Sequence, residues 1–138
     1  MRQTRFTVAT AGAGLVEITD EVADWVAEGD EDGLLTLFVR HTSCSLLIQE
    51  NADPSARRDL ETFLGRLIPP ADAPEQRWMT HRSEGPDDMP SHLKAALLPV
   101  ALTIPVTAGR MALGTWQGIW LWEHRSRPHR RSIAAHLG

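Results

Sequence analysis

Three short segments concentrate the side chains that could do chemistry: Arg40-His-Thr-Ser-Cys-Ser-Leu46, Pro86-Asp-Asp-Met-Pro-Ser-His92 and Ala108-Gly-Arg-Met-Ala-Leu-Gly-Thr-Trp-Gln-Gly118. They set histidines, hydroxyls, a glutamine and carboxylates at the ends of apolar strands and at helix starts. Polar groups so close to hydrophobic strands are costly unless a ligand or a hydrogen-bond network uses them. His41, His81 and His92 are the candidate metal ligands, because three histidines and a carboxylate can build an open-coordination centre. Glu50 or Glu123 would be the fourth ligand or the base. No pair of histidines has the short HExxH spacing, so convergence must come from the fold. Thr42, Ser43 and Ser45 offer hydroxyls in a row beside His41. Gln117 can donate and accept at once, either to fix a ligand or to brace neighbouring backbone. Cys44, between two serines, reads as a packing residue with nothing to activate its thiol.

These residues need elements to hold them. Residues 4–9 and 14–18 read as strands around an Ala11–Gly14 turn. A helix capped by Thr19 or Asp20 places Val22, Trp25 and Val26 on one face and stops near Gly29. The apolar run Leu34 to Val39 predicts a strand buried on both faces, ending at His41. Ser45 to Gln49 predicts another. Asp53-Pro54 is a strong helix start, and Leu60, Phe63, Leu64 and Leu67 follow as a core-facing stripe up to Pro69-Pro70. Residues 71–88 form the longest loop, of a length that is usually functional or mobile. A short helix near Pro90 would carry His92 in its first turn, where the positive helix end favours neutral imidazole. Strands are expected at Val100–Val106, Arg110–Leu113, Thr115–Glu123 and Ser132–His136. In the third of these, Trp116, Trp120 and Trp122 share one face, and Thr115, Gln117, Ile119, Leu121 and Glu123 share the other. Both faces are largely apolar, so the strand is expected to be central or in an oligomer interface. The sum is one α+β domain over 1–138, with an antiparallel β-sheet, two main helices and one short helix.

Composition narrows the function classes. The chain has 138 residues, 42% hydrophobic and 23% charged, and a net charge of −4, which argues against nonspecific nucleic-acid binding. Arg125, Arg127, Arg130 and Arg131 are a local exception, read as a solvated basic edge or an anion site. His124, His129 and His136 are expected at the surface beside them. One cysteine excludes an intramolecular disulfide framework. The start of the chain lacks the apolar run of a signal peptide, and no stretch reaches the ~20 apolar residues of a membrane span. A cytoplasmic protein is the expectation.

His41-Thr-Ser-Cys-Ser-Leu-Leu-Ile-Gln-Glu-Asn-Ala-Asp-Pro54, Asp87-Asp-Met-Pro-Ser-His-Leu-Lys94 and Gly109-Arg-Met-Ala-Leu-Gly-Thr-Trp-Gln-Gly-Ile119 together resemble the YjbQ-like family. His41, Glu50, His81, His92, Gly114, Thr115, Trp116, Gln117 and Glu123 carry its pattern, and the likeness runs nearly the whole chain. One departure is Ser83-Glu-Gly-Pro-Asp-Asp-Met-Pro90, where many relatives have a Gly-Glu-Gly-Asn type of loop. The resemblance implies a compact α+β trimer with its site near a subunit boundary. It also implies a secondary thiamine-phosphate synthase activity, which joins a pyrimidine pyrophosphate to a thiazole phosphate. Such a site would use His41, Glu50, Gln117 and Glu123 for catalysis and a divalent ion, Zn or Mg, on His41, His81 and His92. Thr42, Ser43, Thr115 and Trp116 would hold a small phosphate-bearing ligand. Metal-assisted hydrolysis, or a non-catalytic trimer that binds a metal or small anion, would use the same residues.

Overall fold

The computed structural model describes residues 1–138. It contains β1 (Arg2–Thr10), β2 (Gly14–Glu17), α1 (Thr19–Val26), β3 (Gly33–Val39), β4 (Cys44–Glu50), α2 (Pro54–Leu67), a 3₁₀ turn (Pro74–Gln76), α3 (Asp88–Leu97), β5 (Ala101–Thr107), β6 (Arg110–Met111), β7 (Gln117–Glu123) and β8 (His129–Leu137). Every strand pairing is antiparallel. A five-stranded sheet runs β1-β8-β3-β5-β6, and a three-stranded sheet runs β2-β7-β4. The α+β reading therefore holds.

Alternation along the strands builds two cores on either side of the small sheet. Ile119 and Leu121 of β7 point one way, into the main core with Leu35, Leu37 and Val39 of β3, Ile133 of β8 and Val22 and Val26 of α1. Trp120 and Trp122 point the other way, into a second core with Leu15, Leu64 and Ile68, flanked by Leu60 and Leu93. The β7 strand is thus central, with both faces covered by its own chain. The tryptophans at 120 and 122 are 6% exposed and belong to packing within the chain, so of the two expected placements of the strand the central one holds for them.

Several element readings shift. β3 alternates: Leu35, Leu37 and Val39 are buried, whereas Leu34 and Phe38 are 51% and 49% exposed on the outer face of the large sheet. Of the α2 stripe only Leu64 is buried, and Phe63 and Leu67 face solvent, because the helix lies on Trp120 and Trp122 along a narrow line. Asp53 caps α2 as expected, its Oδ1 accepting from Ser55 N–H at 2.9 Å. Thr19 does not cap α1. Its hydroxyl donates to Glu17 Oε2 and accepts from Ile119 N–H, tying the helix start to β7. α3 begins at Asp88, so His92 falls in its second turn. The long loop before α3 is braced by Arg82, which donates to the carbonyls of Ala71, Gln76 and Met79.

Candidate functional site

The end of the 71–88 loop and the first turns of α3 bring three ligand-type side chains together. His81, Asp88 and His92 each offer an atom, all within 4.8 Å of one another. Asp88 and His92 are four apart on α3 and share a helix face. The Asp88 carboxylate is 2% exposed. Its Oδ2 lies 2.8 Å from His81 Nε2, and its Oδ1 lies 3.3 Å from His92 Nε2 and accepts from Arg125 Nη1 at 2.9 Å. Asp87 holds the same guanidinium through Arg125 Nε and also accepts from Ser126 N–H and Oγ–H. Burial alone would raise Asp87, but Arg125 and the Ser126 backbone outweigh it and hold the carboxyl at about 2.

The His92 geometry is compatible with a ligand role. Its Nδ1 sits 2.8 Å from the Thr42 carbonyl oxygen, an acceptor only, so Nδ1 carries the proton. In the neutral ring Nε2 then presents a lone pair toward the Asp88 carboxylate. Two negative faces at 3.3 Å repel unless a proton or a metal ion stands between them. The Thr42 carbonyl behind one ligand and Arg125 behind another are the kind of outer contacts that fix metal ligands. Two imidazoles and one carboxylate suit Zn better than Mg, which prefers oxygen-only shells.

His41 is not part of this cluster. Its Nε2 accepts the Ser132 backbone N–H at 2.8 Å, and burial, with Arg131 nearby, depresses its pKa. A neutral ring with Nε2 accepting carries its proton on Nδ1, so no lone pair is left for a metal. His41 instead lines a cleft of about 830 Å³ with His92, Thr42, Arg40, Phe38 and Val100. Asp88 takes the place expected for the third histidine. The sequence carried a signal for it, the Asp-x-x-x-His spacing of 88 and 92 on a helix. Arg125 was marked as part of the basic cluster, but its pairing with Asp87 and Asp88 was missed, because those partners are distant in sequence.

The other expected site residues divide between the two ends of the small sheet. Glu123 pairs in register with Cys44, and Gln117 with Glu50. Six residues of strand separate the ends, roughly 20 Å at ~3.3 Å per residue. At one end Glu123 is fully buried, accepting from Arg131, Thr10 Oγ1 and Arg125 N–H. Burial pushes its pKa up, but Arg131 and Thr10 outweigh that and lower it. A carboxylate so engaged is no free base. Ser43 turns inward too, its Oγ accepting from Arg131 at 2.9 Å, and so is not available to a ligand. His124, expected at the surface, is 3% exposed and bonded to Ser45 Oγ. His129 and His136 are half-exposed. Cys44 is buried, and its thiol is pushed up to about 11.

At the other end Thr115 and Trp116 lie in a turn outside β7, and both are exposed. Gln117 is exposed as well and braces that turn, its Oε1 accepting from Gly114 N–H at 2.8 Å. It does not sit on a low-dielectric apolar face as the strand pattern implied. Glu50 is half-exposed beside it.

Fold and cluster together define a class: an antiparallel α+β protein in two sheets, with a His₂Asp constellation beside an open cleft. The profile of the family described as UPF0047 protein YjbQ-like matches residues 4–138, and the chain belongs to that family. It is 46% identical over 131 residues to a UPF0047 protein of Synechocystis sp., covering 94% of this chain and 86% of that one. It is 44% identical over 137 residues to YjbQ of Salmonella typhimurium, covering 98% and 96%. Among solved structures, a conserved hypothetical protein of Thermus thermophilus superposes with a TM-score of 0.84 at 35% identity, covering 98% of this chain and 99% of the other. No helix of the chain is long and apolar enough to cross a membrane.

Proposed function

We propose that the chain is a divalent-metal protein acting on small phosphate-bearing molecules, with a transfer of the thiamine-phosphate synthase type as its reaction. The observation that carries this reading is the His81–Asp88–His92 cluster, whose His92 also lines the large cleft. A divalent ion held by those three residues would supply Lewis-acid neutralisation of a departing pyrophosphate. The chain's own groups do the rest. The Thr42 carbonyl aims His92, and Arg125 fixes Asp88. Phe38, Ala95, Ala96 and Val100 give the cleft an apolar wall for a ring, while Arg40 and the Thr42 side chain give its rim charge and a hydroxyl for phosphate. His41, neutral and protonated on Nδ1, is a hydrogen-bond donor within that cleft. A second cleft without apolar lining is formed by Ser83, Glu84, Gly85, Arg125, Arg127 and His129, and its two arginines could add grip for an anion beside the Glu84 carboxylate.

The same cluster favours metal-assisted hydrolysis as the second reading, because two histidines and one carboxylate leave coordination positions open for water. A homotrimer fits both. Leu34 and Phe38 are exposed on the outer sheet face, and the Gly114–Gln117 turn lies far from the cleft of its own chain. A neighbouring copy is the means to cover the first and to bring the second to a site.

The test uses protein purified without an affinity tag, stripped with chelator and reloaded with Zn or Mg. Formation of thiamine phosphate from the pyrimidine pyrophosphate and the thiazole phosphate is then followed, alongside release of phosphate from simple esters. Product formation that requires metal and is lost in His92→Ala supports the synthase reading, and metal-dependent ester cleavage alone favours the hydrolase. Activity indifferent to chelator and to His92→Ala overturns both.

A further inference from the structure

Lys94 is the one lysine among the 14 Lys and Arg residues of the chain. Four of those 14 side chains are not exposed: Arg2, Lys94, Arg125 and Arg131. The three arginines each donate to carboxylates or backbone carbonyls. Lys94 has neither a hydrogen bond nor an ion pair within the protein, although it is half-withdrawn from water. Its ammonium is therefore free to take an acceptor from solvent or from a ligand.

What lies beside it is a small pocket of about 90 Å³ between α2, the β1–β2 turn and the end of β7. A single water needs ~10–15 Å³ on this measure, so there is room for a group of several heavy atoms. The carboxylates at the pocket are already engaged. Glu61 accepts from Leu15 N–H and faces Arg57 at 3.6 Å, and Glu123 is held by Arg131. His124, also lining the pocket, is neutral: burial, and then the charge of Lys94 itself, push it to about 3. Asp87, which attracts Lys94 through space, is itself held by Arg125, so Lys94 is the one charged group at the pocket without a direct partner.

Gly65 adds an independent observation. It sits inside α2, where glycine is unfavourable relative to alanine. No steric need explains it, since an added Cβ would meet nothing within 4 Å. Gly65 lines this pocket, and its missing side chain leaves the entrance clear. Lys94 and His92 are two positions apart on α3, about 200° around the helix, so the pocket and the His81–Asp88–His92 cluster lie on opposite flanks.

We propose that this pocket is a second binding site, for a small oxyanion (a carboxylate or inorganic phosphate) whose oxygens accept from the Lys94 ammonium. The site does not depend on the metal reading. A chain with one lysine gives a single side-chain ammonium signal, so its ¹⁵N resonance, with the His124 ring signals as a second reporter, can be titrated in metal-free protein. Inorganic phosphate and acetate are the probes, with chloride at matched ionic strength as the control. A saturable shift with phosphate, acetate or both, absent with chloride, is expected, and the responding anion names the source. Gly65→Leu, which plugs the entrance, and Lys94→Met, followed through His124, should each weaken binding at least about tenfold, or 1.4 kcal/mol. Gly65→Ala should leave the protein no less stable. Shifts that merely track ionic strength overturn the site, as does undiminished binding in both plugged and charge-deleted variants. If Lys94 instead swings to pair with Glu61, Glu61→Gln alone moves its signal and no anion saturates it, which also overturns the proposal.

Discussion

Two polar clusters lie a few residues apart in this fold, and they are built on opposite principles. Around Glu123 the groups are closed: a fully buried carboxylate, a buried guanidinium and the hydroxyls of Thr10 and Ser43 satisfy one another. Around Asp88 they are open: His81 is exposed, His92 borders a cleft, and the His92 ring faces a carboxylate at 3.3 Å. Arg125 joins the two, its backbone N–H bonded to Glu123 and its side chain to Asp87 and Asp88. The difference teaches that burial and full satisfaction mark a structural network, whereas a convergent, accessible set of ligand-type groups can serve a proposed cation site. Chemical type alone does not separate them, since both contain carboxylates and basic groups.

The sharpest way to break this contrast is Glu123→Gln. It leaves Arg131 buried opposite an uncharged group and should cost about 3–5 kcal/mol in a denaturant titration. Metal uptake per folded molecule should be unchanged. A loss under 1 kcal/mol would mean the closed cluster is not structural.

Acid should probe the closed side next. His124 is depressed from 6.5 to about 3, so between those pH values the unfolded chain binds the proton and the folded chain does not. Its contribution is therefore complete above pH 6.5 and is lost as pH falls toward 3, at up to about 1.4 kcal/mol per pH unit. Stability curves of wild type and His124→Gln should converge in slope above pH 6.5 and diverge below it. Parallel curves throughout would show that His124 is not held neutral. Asp87 adds a narrower acid step, with its contribution present above its ordinary value of 3.8 and lost as pH falls through about 2.

Gln117→Ala should be milder, at most about 1 kcal/mol in a thermal melt, because the exposed Gly114 N–H it frees can bond to water. If the same variant abolishes turnover, the Gly114–Gln117 turn serves a site completed by another copy.

How far the sequence reveals this molecule depends on the range of the interaction. Local signals read true: the Asp53-Pro54 start of α2, the strand near Val100–Val106 and the apolar two-sidedness of β7 all depend on neighbours in the chain. Burial read from apolarity alone did not, since Leu34, Phe38, Phe63 and Leu67 are as apolar as their buried neighbours. The metal-type cluster was two-thirds legible. His81 and His92 stood out, but Asp88 was hidden as one acid among many, and its partner Arg125 lies 37 residues away. His41 stood out for the wrong reason: its nitrogen closes a backbone bond to β8 that only tertiary structure reveals.

His81→Ala should disturb stability least, within about 0.5 kcal/mol, because the side chain is exposed. It also gives the most direct test of the open cluster. Zinc binding to tag-free, chelator-stripped protein should be measured by titration calorimetry, with elemental analysis of the dialysed complex. One ion per chain in the wild type is expected, with affinity reduced at least about tenfold in both His81→Ala and His92→Ala and unchanged in His41→Ala. No stoichiometric ion in the wild type, or equal affinity in all four proteins, would contradict the account.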